Sequence, residues 1–184
     1  MTRDDALLDR IEQLARGAEP RAGSTRVIAI DGRAGAGKTT LARELAARLD
    51  APIVQLEQIY PGWDGLQAGI DLLVEAVLVP LSAGAIAQVP RYDWLVGRFL
   101  EPWPLEAPEL VIVEGVGTGA RAAATFASVL VWLELDAASR KERALARDGE
   151  TFRPHWERWA AQEDVLLARE QTPARADIVA RPNL

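Results

Sequence analysis

Four short apolar runs divide the chain. Arg26-Val27-Ile28-Ala29-Ile30-Asp31, Pro52-Ile53-Val54-Gln55-Leu56, Leu110-Val111-Ile112-Val113-Glu114 and Val129-Leu130-Val131-Trp132-Leu133-Glu134 are rich in β-branched residues and lack alternation. That pattern predicts strands covered on both faces of a parallel sheet. Asp177-Ile178-Val179-Ala180 predicts a weaker fifth strand. Between the runs the period lengthens to that of a helix. Leu7, Leu8, Ile11, Leu14 and Ala15 share one face of a predicted helix over 2–17, with Thr2 as cap and Asp5 three residues on. Leu41, Leu45 and Leu49 mark a helix over 39–50, and further helices are expected near 67–83, over 137–147 and over 155–171. Residues 57–108 otherwise read as irregular, being rich in Pro, Gly and Trp. Strands alternating with helices imply an α/β fold: a five-stranded parallel sheet with helices on both faces, forming three layers.

Composition narrows the chemistry. A length of 184 residues suits one domain spanning 1–184, with 1–25 as N-terminal helix and linker. The absence of Cys excludes thiolate metal sites and cysteine nucleophiles, and the single His155 excludes a His-pair metal site. The formal net charge of −6 argues against a nucleic-acid or anionic-membrane partner. No run approaches the roughly 18 apolar residues of a membrane span. The acidic N-terminus lacks a secretory pattern, so a cytoplasmic protein is expected.

The strand ending at Asp31 runs into Gly32-Arg33-Ala34-Gly35-Ala36-Gly37-Lys38-Thr39, which satisfies G-x-x-x-x-G-K-[ST], with Thr40 following. Glycines allow the backbone to turn with positive φ and bring N–H groups against phosphate oxygens, and the helix N-terminus adds attraction for an anion. Lys38 supplies an ammonium for the β and γ phosphates, and the Thr39 hydroxyl is suited to Mg²⁺. Lys38 is one of only two lysines in a chain that otherwise uses Arg. No Asn-Lys-x-Asp guanine signature is present, which leaves a compact small-molecule kinase as the natural P-loop candidate.

The order of motifs resembles the uridine kinase and phosphoribulokinase-like group of P-loop kinases, especially short bacterial members. The likeness runs through the phosphate loop, Leu56 to Tyr60, Arg91 to Trp94 with Arg98, Val111 to Val116, Arg140 to Asp148 and Ala176 to Val179. It implies the P-loop NTPase three-layer fold with a substrate-binding insertion over 57–108 and a small lid over 140–155. It further implies that Glu57, where the group usually has Asp, activates the acceptor hydroxyl, with Asp64 as a second candidate. Glu114 becomes the Walker-B-like acid that joins Thr39 at Mg²⁺. Tyr60, Tyr92, Asp93 and Arg98 become acceptor contacts, although Gly97 stands where the group often has His. Arg143 and Arg147, on one helical face with Arg140, become the lid cations that neutralise charge on the transferring phosphoryl. Trp63, Trp94 and Trp103 are expected either to pack a minor core or to stack on a planar base.

The expected activity is ATP- and Mg²⁺-dependent transfer of a phosphoryl group to a hydroxyl of a small nucleoside-like molecule. Alternatives are another small hydroxyl metabolite, a nucleoside monophosphate, or a regulatory nucleotide-binding module with slow ATPase activity. A homo-oligomer stays open.

Overall fold

Strand β1 (Arg26–Asp31) occupies the middle of a five-stranded sheet because every position between Arg26 and Asp31 is apolar. The computed structural model of the protein describes residues 3–181, so the expected cap Thr2 lies outside the described residues. Beside β1 run β2 (Ile53–Gln55), β5 (Leu110–Glu114), β6 (Val129–Leu133) and β7 (Ile178–Ala180), in the spatial order β2-β5-β1-β6-β7 and parallel throughout. The expected fold class is thus observed.

Helices cover both faces. On one, α1 (Arg3–Gly17) and α2 (Lys38–Leu49) bury Leu8, Ile11, Leu41 and Leu45 against Ile28, Ile30, Ile112 and Val131. On the other, Val27, Val111 and Val113 meet a larger cluster built from 54–81 and from α7 (Trp156–Glu170). The alternation of Val27 with Ile28 across the two clusters is the two-residue period of a strand buried on both sides. Among the described residues no helix is long and apolar enough to cross a membrane.

The stretch after β2 is more ordered than its composition predicts. A short 3₁₀ turn (Leu56–Gln58) leads to α3 (Leu66–Leu73), which passes through a π-helical turn (Val74–Leu78) into α4 (Val79–Ser82). Pro80 accounts for the widened turn, since it has no N–H to donate and its ring crowds the carbonyl four residues back. A β-hairpin then corrects the expectation of irregular chain: β3 (Ala87–Asp93) pairs antiparallel with β4 (Arg98–Leu105). Pro90, Pro102 and Pro104 hide these strands in the sequence. They are tolerated because the two-stranded sheet has free edges and its register shifts between Val89 and Arg91.

Three further helices complete the chain: α5 (Arg121–Ala124), α6 (Ala137–Phe152) and α8 (Thr172–Arg175). Asp136 caps α6 by accepting the N–H of Ser139 at 3.0 Å, and that bond holds its carboxyl below the usual aspartate range. α6 extends past the expected end at 147 but breaks at Gly149, whose φ of 56° and ψ of −134° leave the helical region.

At the C-terminal end of β1, Asp31 turns its carboxylate inward. Oδ1 accepts the N–H of Gly32 at 2.7 Å and of Gly117 at 2.9 Å, and Oδ2 accepts that of Gly119 at 2.8 Å. This one side chain joins the start of the phosphate loop to the loop after β5. Removing it leaves three buried donors unsatisfied, each worth about 1–3 kcal/mol. Asp31→Ala is therefore expected to lower unfolding stability by about 3 kcal/mol or more in urea titration, with Asp31→Asn intermediate because one acceptor oxygen remains.

Candidate functional site

The loop between β1 and α2 has the conformation its glycines allow. Gly32, Gly35 and Gly37 have φ of 148°, 83° and 95°. At Gly35 the demand is also steric, since a Cβ would stand 2.2 Å from the Arg140 carbonyl oxygen. Gly37 caps α2 with no side-chain hydrogen bond, which leaves the N-terminal N–H groups of this helix without a side-chain acceptor from the cap. Ala36 is buried and Thr40 exposed at the outer side of the first turn. The Lys38 side chain folds back, donating from Nζ to the Arg33 carbonyl at 3.0 Å. Burial pulls its pKa down, while the negative charges of Glu114, Glu163 and Asp31 oppose that shift. Burial likewise pushes the Asp31 carboxyl up, opposed by its three N–H donors and by Lys38.

The sheet order brings β5 between β1 and β2, setting Glu114 beside both Ile30 and Gln55. Glu114 is only 3% exposed, and its Oε1 accepts from the Thr39 hydroxyl at 2.9 Å and from Gln55 Nε2 at 3.0 Å. A buried carboxylate held by two neutral donors suits a cation site better than an apolar core. Thr39 and Glu114 are hard oxygen donors of the kind Mg²⁺ takes. Among the described residues no cluster of three or more His, Asp or Glu surrounds them. The set therefore fits a Mg²⁺ that keeps most of its coordination for phosphate and water, rather than a protein cage.

A cavity of about 330 Å³ opens over these groups, bounded by Lys38, Thr39 and Glu114 on the loop side. The lining also includes Glu57, in the 3₁₀ turn after β2, and Arg147, on α6, which pair at 3.7 Å. Both are more than half exposed, so their attraction is worth under about 1 kcal/mol and exchanges readily for another ion. The walls are aromatic. Tyr60, Trp63, Trp94, Phe152 and Trp159 all reach the cavity. Trp63 is stacked on His155 at 4.3 Å and on Phe152 at 5.4 Å, and tilted against Trp94 at 4.6 Å. Trp103 instead packs against the core cluster.

The other expected site residues stand in various relations to this cavity. The Tyr60 ring lines it, but its hydroxyl donates to the Val116 carbonyl at 2.8 Å, and burial raises its pKa well above normal. Asp64 is held by Arg158 through two guanidinium nitrogens and does not line the cavity. Tyr92, Asp93 and Arg98 belong to the β3–β4 hairpin, outside the cavity walls. There Asp93 accepts the N–H of Leu95 and Val96 at 2.8 and 3.1 Å, a turn-capping arrangement, and Arg98 is its cross-strand neighbour. On α6, Arg140 is buried, donating from Nε to the Leu135 carbonyl at 3.0 Å and from Nη1 to the Ala34 carbonyl at 3.3 Å. Arg143 has a buried Nη1 with no hydrogen-bond partner among the described residues.

Three polar residues at the site are absent from the sequence-based expectations: Asp31, Gln55 and Glu163. Asp31 was visible as an acid closing an apolar strand immediately before the first loop glycine. Glu163 was visible too, because it falls on the buried stripe formed by Trp156, Trp159 and Leu166. Gln55 carries no signal of its own beyond its place at a strand end.

Comparison with known proteins agrees with this fold. The chain is 38% identical over 82 residues to a bifunctional pantoate ligase/cytidylate kinase from Gloeobacter violaceus, a match covering 39% of this chain and 16% of that protein. A second such enzyme, from Synechococcus sp., is 34% identical over 101 residues, covering 50% of this chain and 19% of that protein. The matched region thus spans under a fifth of the length of these curated relatives. Among solved structures, a possible uridine kinase from Bacillus stearothermophilus superposes with a TM-score of 0.66 at 22% identity, covering 95% of this chain and 98% of that one. A candidate fructose transport system kinase from Silicibacter sp. TM1040 gives 0.61 at 18% identity, covering 98% and 100%. At these identities the shared property is the fold, and at that level the resemblance read from the sequence holds. A protein-family profile described as AAA domain (AAA_18) matches residues 28–162, from within β1 to within α7. The chain belongs to this AAA domain family and has its P-loop nucleotide-binding fold.

Proposed function

We propose that the protein is an ATP- and Mg²⁺-dependent kinase that transfers the γ-phosphoryl group to a hydroxyl of a nucleoside-like small molecule. The observation that carries this reading is the convergence of Lys38, Thr39, Glu114, Glu57 and Arg147 on a single cavity. In this reading the whole chain acts as one domain, with 57–108 walling the acceptor side and 140–155 covering the site.

The division of labour follows from residue chemistry. Backbone N–H groups of the Gly32 to Thr40 loop, other than those of Gly32 and Ala34 that Asp31 and Glu163 hold, bind the triphosphate together with the ammonium of Lys38. Thr39 and Glu114 would hold Mg²⁺, which when bound supplies positive charge to the phosphate oxygens. Glu57 accepts the proton of the acceptor hydroxyl as the hydroxyl oxygen bonds to the γ-phosphorus and the bond to the bridging oxygen breaks, leaving ADP. Arg147 exchanges its exposed contact with Glu57 for one with phosphate. Arg143, from the same helical face, adds a second cation. The aromatic walls exclude water, which would otherwise compete as acceptor. Asp64, fixed by Arg158, orients the 60–65 segment rather than the hydroxyl, so Glu57 is the acceptor base. Tyr92, Asp93 and Arg98 on the hairpin would reach an acceptor only if the hairpin closes toward the cavity.

Similarity to relatives that carry a cytidylate kinase supports a second reading, in which the acceptor is a nucleoside monophosphate. ADP release measured with uridine and cytidine against CMP and UMP separates the two. Turnover with the nucleosides supports the first reading, and turnover with the monophosphates alone supports the second. ADP release indifferent to every acceptor would indicate a slow ATPase module instead.

Two substitutions test the roles. Lys38→Ala is expected to leave the circular dichroism spectrum unchanged while lowering kcat by about a thousandfold. Glu57→Gln is expected to lower kcat by about a hundredfold or more while leaving KM for ATP within about threefold, as suits a group that handles only the acceptor proton.

A further inference from the structure

Glu163 has no part in the transfer described above, yet it is 2% exposed and lies directly against the phosphate loop. Its Oε1 accepts the Ala34 N–H at 2.7 Å and the Trp159 indole N–H at 3.1 Å. Its Oε2 accepts from Arg33 Nε at 2.9 Å and stands 3.9 Å from Arg140 Nη1. Arg140 in turn donates to the carbonyl of the same Ala34. The N–H of Ala34 is therefore held by α7 and its C=O by α6, the helix that breaks at Gly149 before α7 begins.

A buried carboxylate costs several kcal/mol to desolvate unless it is well paired. Beside a loop built for anions its charge has the wrong sign to attract the ligand. Its effect must therefore lie in what it holds. The neighbouring turn of α7 grips the 63–64 segment, whose Trp63 lines the cavity: Gln162 Nε2 donates to the Trp63 carbonyl at 2.8 Å and Arg158 pairs with Asp64. A single helix is thus fastened to the loop at one point and to the acceptor-side wall at another.

We propose that Glu163 is a positioning residue for nucleotide binding: by fixing Ala34 and the Arg33 guanidinium it sets the shape of the phosphate loop and joins it to the helices around Gly149. The proposal rests on the nucleotide-binding reading above. Glutamine at this position still accepts from Ala34 but presents an amide to Arg33, so the clamp is broken on one side.

The test measures ADP binding by calorimetry, well below the melting temperature, for wild type, Glu163→Gln, Arg33→Gln and the double variant. The expected result is about a tenfold rise in Kd for Glu163→Gln, a rise in the same direction for Arg33→Gln, and no further loss in the double variant. Amide exchange over 149–155 in the ADP complex should also quicken in Glu163→Gln. A purely structural role would lower the melting temperature and leave Kd unchanged. Kd within twofold of wild type in a folded Glu163→Gln overturns the proposal; if that variant does not fold, the same result in Arg33→Gln does so. Failure of the wild type to bind ADP would instead overturn the nucleotide reading itself, a separately visible outcome.

Discussion

The carboxylate of Asp31 is the constraint on which the site depends. A phosphate loop must turn sharply at the end of its strand, and the turn exposes backbone donors that a buried environment does not tolerate unpaired. Asp31 takes up the first of them at Gly32 and, with its remaining capacity, two more from the loop after β5. The position of Gly117 and Gly119 relative to Gly32 is thereby settled, and with it the approach of Glu114 to Thr39.

The electrostatics follow the same economy. Four polar groups, Asp31, Lys38, Glu114 and Glu163, are nearly removed from water within one loop's reach. Burial pulls the Lys38 pKa down, and the three acids around it oppose that shift. Each acid is in turn held by donors: backbone N–H groups at Asp31, Thr39 and Gln55 at Glu114, Ala34 and Arg33 at Glu163. The balance is local: each charge is matched by its own partners, whatever the net charge of −6 on the chain as a whole. By contrast the Glu57–Arg147 pair is exposed and weak, as the proposed exchange of partners requires.

What the sequence disclosed follows the physics of each element. The five strands were legible because a parallel sheet buried on both faces demands unbroken apolar runs. The phosphate loop was legible because its glycines and lysine meet constraints few other residues satisfy. The β3–β4 hairpin was not, since free edges relax the demand for alternation and admit Pro90, Pro102 and Pro104. Nor was the outward position of Asp93, which is set by the turn it caps and not by any pattern in its own neighbourhood. Glu163 was missed for a different reason: a glutamate on an apolar helical stripe was visible, but its partners lie 129 and 130 residues away in the chain.

The aromatic lining has an optical consequence. Three of the six tryptophans, Trp63, Trp94 and Trp159, sit around one cavity, and two of them touch the segment near Gly149 or the hairpin through ring contacts. Their indole emission is sensitive to solvent access and to ring packing. The protein's intrinsic fluorescence is therefore weighted toward this one region, giving the chain an internal reporter of whatever enters or closes over the cavity.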